Sequence, residues 1–191
     1  MAKDIWLISD THFSQESIIH FKQPNGQPMR PFANAKEMDE ALITYWNETV
    51  RPTDSVYHLG DVSMKRHAIP LIGRCNGHKR LLTGNHDIYD TKKDYLPWFE
   101  KIYGTRLLDD LLLSHFPIHS GSIKKRWTNV HGHLHNNAPM FGHRGYLTAK
   151  HLNISCEWTN FRPIALEEVK KLVQVMKDDC ERRDDSFVGV N

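Results

Sequence analysis

Histidine is the residue in excess in this chain, with 13 copies among 191 residues. Five of them stand beside aspartate, asparagine and glycine in short motifs: Asp10-x-His12, Gly60-Asp61, Gly84-Asn85-His86-Asp87, His115 and Gly132-His133-x-His135. Carboxylate, carboxamide and imidazole groups suit manganese, iron, zinc, cobalt or nickel, and no thiolate joins them. One intervening residue keeps both side chains of Asp10-x-His12 and of His133-x-His135 on one face of an extended segment. A carboxylate can bridge two cations through its two oxygens. The donors are too many for one tetrahedral ion, so the set reads as a two-metal site. Glycine before Asp61, Asn85 and His133 lets the backbone turn tightly and come close to the ions.

These motifs need elements that deliver them to one place. Ile5–Ile8 is a short apolar run, read as a buried strand; Ser55–Leu59, Lys79–Thr83 and Thr128–His131 are read as further strands, and each of the four ends at one of the motifs. Arg106–Ser114 holds two short strand candidates around Asp109-Asp110 and ends at His115, and Tyr146–Ser155 is a late strand. Met38, Leu42, Tyr45, Trp46 and Thr49 mark one face of a helix over 35–50, with Asn34 as N-cap and Pro52 past its end. Lys65–Arg74 reads as helical despite Pro70. Asp94–Tyr103 reads as a short helix anchored by Tyr95, Trp98 and Phe99. Leu166, Val169, Leu172, Val173 and Met176 form a last helical stripe. Residues 23–34, rich in Pro, Gly and Asn, read as an irregular loop. Early strands alternate with helices and later ones follow in succession, which argues for a layered α/β sandwich with mixed sheets and helices outside. In open α/β sheets the ligand site lies beyond the carboxyl ends of the strands, where all five motifs fall.

Composition narrows the function classes. Lys and Arg number 25 against 23 Asp and Glu, a net charge of +2. That is too little for a protein that coats nucleic acid through many phosphate contacts. No apolar run approaches the roughly 18 residues of a membrane span, and no signal-peptide core is evident. Cys75, Cys156 and Cys180 lie far apart, as expected for reduced cytoplasmic thiols rather than a disulfide frame. The length fits a single domain over residues 1–183, followed by a flexible tail over 184–191. No obligate protein partner is expected.

The five motifs, in this order, resemble the calcineurin-like metallophosphoesterase superfamily. The segments Ser9–Phe13, Tyr57–Met64 and Asn129–Asn136 look most like its small, single-domain bacterial and phage members. Ser17 stands where such members are expected to carry Asn. The resemblance implies a four-layer α/β/β/α sandwich of two mixed sheets flanked by helices. It implies two divalent metal ions, manganese ahead of iron, zinc, nickel or cobalt. Asp10, His12, Asp61 and His135 would hold the first; Asp61, bridging, with Asn85, His115 and His133, the second. His86 would face the leaving group as the catalytic acid, and Asp87 would orient it. The implied reaction is hydrolysis of a phosphodiester, a nucleotide-like small molecule or a nucleic-acid end, by in-line attack of hydroxide generated between the ions. Phosphomonoesters are the nearest alternative, and a non-catalytic protein-binding scaffold is a remote one.

His131-Gly-His133-Leu-His135 also suggests the histidine-triad nucleotide hydrolases, but Gly132 and Asn136-Asn137 occupy places that family keeps apolar. That reading also leaves Asp10, Asp61 and Asn85 unused, so His131 is expected to be structural. A metallo-β-lactamase pattern would need Asp-His after His135. Among the remaining histidines, His58 is expected in the core, and His67, His78 and His151 on the surface. His20, His119 and His143 lie in segments that could reach the site. The loop Lys124-Lys125-Arg126-Trp127 is expected to be a solvated basic turn followed by a core Trp, with contact to a second phosphate and a base as the alternative; the loop Lys22–Arg30, which follows Asp10-x-His12, competes for that contact.

Overall fold

A computed structural model of the chain describes residues 3–23, 25–136 and 150–187. Among the described residues, nine strands form two mixed sheets. The first contains β1 (Ile5–Ile8), β2 (Ser55–His58), β3 (His78–Leu82), β4 (Lys101–Tyr103) and β9 (Ile164–Ala165), in the order β4-β3-β2-β1-β9. Strands β1 to β4 are mutually parallel, and β9 runs against β1. The second contains β5 (Thr105–Leu108), β6 (Leu111–Ser114), β7 (Thr128–His131) and β8 (His151–Asn153), with only β5 antiparallel to its neighbour. Helices α1 (Glu16–Ile19), α2 (Ala35–Thr49) and α3 (Leu166–Phe187) complete the chain, so the fold is α/β with two mixed sheets flanked by helices.

Strand side chains alternate between faces, and the first sheet is apolar on both. Ile8, Val56 and Leu81 face one core with Met38, Leu42 and Trp46 of α2. Leu7, Tyr57 and Leu82 join a second core with Leu111, Leu113 and Val130 of the other sheet and with Val169, Val173 and Met176 of α3. Register places Ile8 beside His58 and His58 beside Leu81, so β1, β2 and β3 end together. A parallel bridge between Ser9 and Ser155 then joins the carboxyl edges of the two sheets.

Helix α2 begins as expected. Asn34 Oδ1 accepts from the Glu37 N–H at 2.9 Å, and Glu37 Oε2 accepts from Ala33 N–H at 3.0 Å. Residues 66–74 form a 3₁₀ helix rather than an α-helix, because Pro70 has no N–H for the i→i−4 ladder. The expected helix over Asp94–Tyr103 is corrected. A π turn spans Thr91–Tyr95, Pro97 prevents its continuation, and Lys101–Tyr103 becomes β4, taking the free edge of β3. Tyr95 and Phe99 are buried and Trp98 half-buried, as anchors should be. Helix α3 continues through Phe187, into the segment expected as a tail. The late strand is shorter than expected, His151–Asn153, and 146–149 lie outside the described residues. No described helix is long and apolar enough to cross a membrane.

Candidate metal centre

Each strand end delivers its motif to the common edge, and two groups of three form there. Ligand atoms of Asp10, His12 and His135 lie within 4.8 Å of one another, as do those of Asp61, His115 and His133. One atom belongs to both neighbourhoods. Asp61 Oδ2 is 3.5 Å from His12 Nε2 and 3.4 Å from His115 Nε2. Asn85 joins the second group, its Oδ1 lying 3.0 Å from His115 Nε2. All seven expected ligands therefore converge.

The backbone there is unusual. Asp10, His12, Asp61, His133 and His135 have φ of 60°, 49°, 59°, 69° and 46°. Left-handed conformations in non-glycine residues cost of order 1–3 kcal/mol each and persist where the surroundings enforce them. Close approach also explains a glycine: a Cβ on Gly132 would overlap Ser9 Oγ and Asp10 Oδ2. Its neighbour His133 donates its N–H to both Asp10 oxygens, at 3.1 and 3.0 Å, tying the end of β7 to the end of β1.

The donors suit cations on chemical grounds. His12 is buried, yet neither ring nitrogen has a hydrogen-bond partner among the described residues. A buried, unpartnered imidazole costs free energy that a coordinated ion would recover. His115 Nδ1 lies 2.9 Å from the Leu59 carbonyl, which can only accept, so Nδ1 carries a proton. Its Nε2 then meets Asp61 Oδ2 and Asn85 Oδ1, two further acceptors, and only a proton or a cation reconciles the three. Burial opposes the charge on His115, but its hydrogen bond to Asp61 and the charges of Asp10 and Asp61 raise its pKa. Burial opposes ionisation of Asp61 too, but His115 and His12 outweigh it and hold the carboxyl well below its usual range. Burial pushes His12 down, aided by Arg30 and His135, and pushes His133 down, aided by His115. His135 is raised, since Glu157 and Asp10 overcome burial.

His86 borders the groups without joining either, its Nε2 3.9 Å from Asp61 Oδ2 and its side chain 36% exposed. Asp87 does not orient His86. Its carboxylate accepts from the N–H groups of Asp61, Val62 and Gly84 at 2.8, 3.0 and 2.9 Å, and so clamps two of the ligand-bearing loops together. His131 is buried outside both groups, and His58 is a core residue. His67 and His78 are exposed as expected, but His151 is buried, with Nε2 2.7 Å from the Ile118 carbonyl. His20 and His119 are exposed and join neither group, and His143 lies outside the described residues. The basic loop matches its simpler reading in part: Lys124, Lys125 and Arg126 are exposed and Arg126 pairs with Asp110, but Trp127 is half-buried and joins neither core, with Lys124 Nζ 4.8 Å from its ring centroid.

Three residues at the site escaped sequence reasoning. Arg30 and Glu157 form a buried ion pair against the first group. Phe116 is 47% exposed, with its ring centroid 4.6 Å from His133 and 4.9 Å from His115. For Phe116 the available signal was its position directly after His115; for Arg30 it was that the loop Lys22–Arg30 follows Asp10-x-His12, although nothing marked Arg30 itself within that loop.

The fold and site together define an α/β protein with a shared-carboxylate Asp/His centre on the joined edge of two mixed sheets. The chain belongs to the family of the uncharacterized protein MJ1445 of Methanocaldococcus jannaschii, to which it is 32% identical over 180 residues, covering 90% of this chain and 92% of that one. Gene 66 protein of Mycobacterium phage L5 is 26% identical over 166 residues, covering 69% of this chain and 77% of its own. In fold the chain is similar to a protein of unknown function, AQ665 from Aquifex aeolicus, with a TM-score of 0.64 and 24% identity over 90% of this chain and all of that one. No protein-family profile matches the sequence.

Proposed function

We propose that this protein is a dinuclear metal-dependent phosphoesterase of the calcineurin-like type, acting on a small, nucleotide-like phosphodiester. The observation that carries the reading is Asp61 Oδ2, set 3.5 Å from His12 and 3.4 Å from His115, between two three-residue groups of metal-ligand type. Asp10, His12, Asp61 and His135 would hold one divalent cation and Asp61, Asn85, His115 and His133 the other, manganese first among the candidates. Bound there, the pair would supply Lewis-acid charge for a phosphate and an activated water.

The chain's own residues supply the rest. His86, half-exposed beside Asp61, is placed to give a proton to the departing oxygen from Nε2, a role worth roughly 10²–10⁴-fold. Phe116 lies at the mouth of the second group, where a planar leaving group can stack on its exposed ring. That favours aryl or nucleotide esters over alkyl ones. The two-sheet architecture is read accordingly as a small form of the four-layer metallophosphatase sandwich.

The test is release of nitrophenol from bis(nitrophenyl) phosphate and from nitrophenyl phosphate, with and without Mn(II). Faster Mn-dependent release from the diester is the expected result. Preference for the monoester would make the protein a phosphatase using the same residues, and no release from either would overturn the reading.

A further inference from the structure

Arg30 and Glu157 are both withdrawn from water, and Arg30 Nε donates to Glu157 Oε1 at 2.9 Å. A buried ion pair is weak evidence for stability by itself, because desolvation offsets much of the attraction. What the pair touches is therefore more informative. Arg30 Nη1 donates to the Thr11 carbonyl at 2.8 Å, and Nη2 donates to the Asp10 carbonyl. One rigid guanidinium thus grips the segment in which Asp10 and His12 hold left-handed backbone. A lysine has a single ammonium and no fork to match this geometry.

Glu157 works on the other side of the same group. His135 Nδ1 lies 3.1 Å from Glu157 Oε1, the oxygen that also receives Arg30. A carboxylate only accepts, so Nδ1 carries a proton, and in the neutral ring the lone pair then lies on Nε2. That Nε2 is 4.0 Å from Asp10 Oδ1. The His135 carbonyl is fixed in turn by Asn153 Nδ2 at 2.9 Å and Trp158 Nε1 at 2.7 Å. A histidine ligand is oriented, and its tautomer set, by what its other nitrogen donates to.

We propose that the Arg30–Glu157 pair is the positioning device of the Asp10/His12/His135 group. Arg30 holds the backbone that aims Asp10 and His12, and Glu157 holds His135 in the tautomer that offers Nε2. Arg30 and Glu157 offset each other's charge, so the pair shapes the group without changing its net charge. The inference rests on the reading of that group as a cation site.

The experiment titrates Mn(II) into the full chain after chelator treatment, following free Mn(II) by electron paramagnetic resonance. It compares the parent, Glu157→Gln, and the double variant Arg30→Met/Glu157→Leu. Ring ¹⁵N spectra of His135 are recorded before metal is added. The double variant removes both buried charges together, a replacement that buried pairs tolerate well, so it remains informative if the single variant does not fold. The parent is expected to bind two ions, with His135 in the Nδ1–H tautomer. Both variants are expected to keep one site at parental affinity and to weaken the other by about 10–100-fold. The double variant should also lose the tautomer bias. Parental affinity at both sites, or an unchanged His135 tautomer in the double variant, would overturn the positioning role while leaving the metal reading intact. Fewer than two ions on the parent would overturn the two-cation reading itself, and this role with it.

Discussion

Asp61 and His86 are close in space and opposite in expected behaviour. Asp61 is buried, its carboxyl is held well below the usual range, and it lies between two groups of metal-ligand type, so in the proposed centre its charge would be part of what attracts cations. His86 stands 3.9 Å from that carboxylate and fills no place in either group. Asp61→Asn should therefore lose bound metal and activity together. His86→Gln should keep two equivalents of Mn and lose roughly 10²–10⁴ in kcat. Metal analysis and steady-state kinetics on the same two preparations check this. A metal-depleted, folded His86→Gln protein would make His86 a ligand. Asp87 shows how nearest-neighbour reasoning misleads at this scale: it follows His86 in sequence but spends its carboxylate on three backbone N–H groups from two loops.

At the scale of elements, the ends of β1 and β7 must nearly touch for the two groups to share one edge. Gly132 permits this, since any Cβ there would run into Ser9 and Asp10. Gly132→Ala should push the two strand ends apart, costing about 1–3 kcal/mol as overpacking. It should also weaken Mn binding by the group that contains Asp10. Urea unfolding and Mn titration measure the two effects, and a variant with parental stability and affinity would show that the edge yields more readily than its packing indicates. The edge strand β4 came from a segment whose aromatic spacing resembles a helix. Tyr95 and Phe99 do anchor the core, but Pro97 denies the helix its next hydrogen bond, and β3 offers backbone partners to Ile102.

Across the whole molecule, buried ionisable groups outside the ligand set tie stability to pH. His58 is fully buried, and burial lowers its pKa from 6.5 to about 3. Its Nδ1 accepts from the Gly60 N–H at 3.2 Å, and Nε2 meets Thr11 Oγ1 at 2.9 Å, so the neutral ring links β2 to both ligand loops. Unfolded chains take up a proton on this residue near pH 6.5, while the folded chain does not until about pH 3. Stability is then fully present above 6.5 and falls as pH drops below it, by about 1.4 kcal/mol per pH unit for one proton. Asp54 extends the loss. Burial opposes its charge, but hydrogen bonds from Arg51, Trp6 and Asp4 hold it at about 2 instead of 3.8. Its contribution is therefore complete above 3.8 and disappears as pH falls through about 2. Urea unfolding of chelator-treated protein between pH 7 and 4.5 should show the slope, and His58→Gln should flatten it by one proton's worth. Equal slopes in parent and variant would remove His58 as the cause.

The residues proposed as ligands, and their places at strand ends, were legible in the sequence as a pattern. The unbroken apolar run Ile5–Ile8 and the shorter apolar stretches Leu81-Leu82 and Leu111–Leu113 precede their motifs, so the polar residues that follow them stand out locally. The N-cap at Asn34 and the stripe of α2 were legible for the same reason: both are patterns within a few residues. The tertiary structure alone decided what depends on segments far apart. It brought Gly132 against Ser9, gave Asp87 to the backbone of a neighbouring loop, and sent Lys101–Tyr103 to the edge of β3. Above all it joined Arg30 to Glu157 across 127 positions. An arginine in a proline-rich loop and a glutamate beside a tryptophan carry no periodicity, and only the closed edge of two sheets makes them partners.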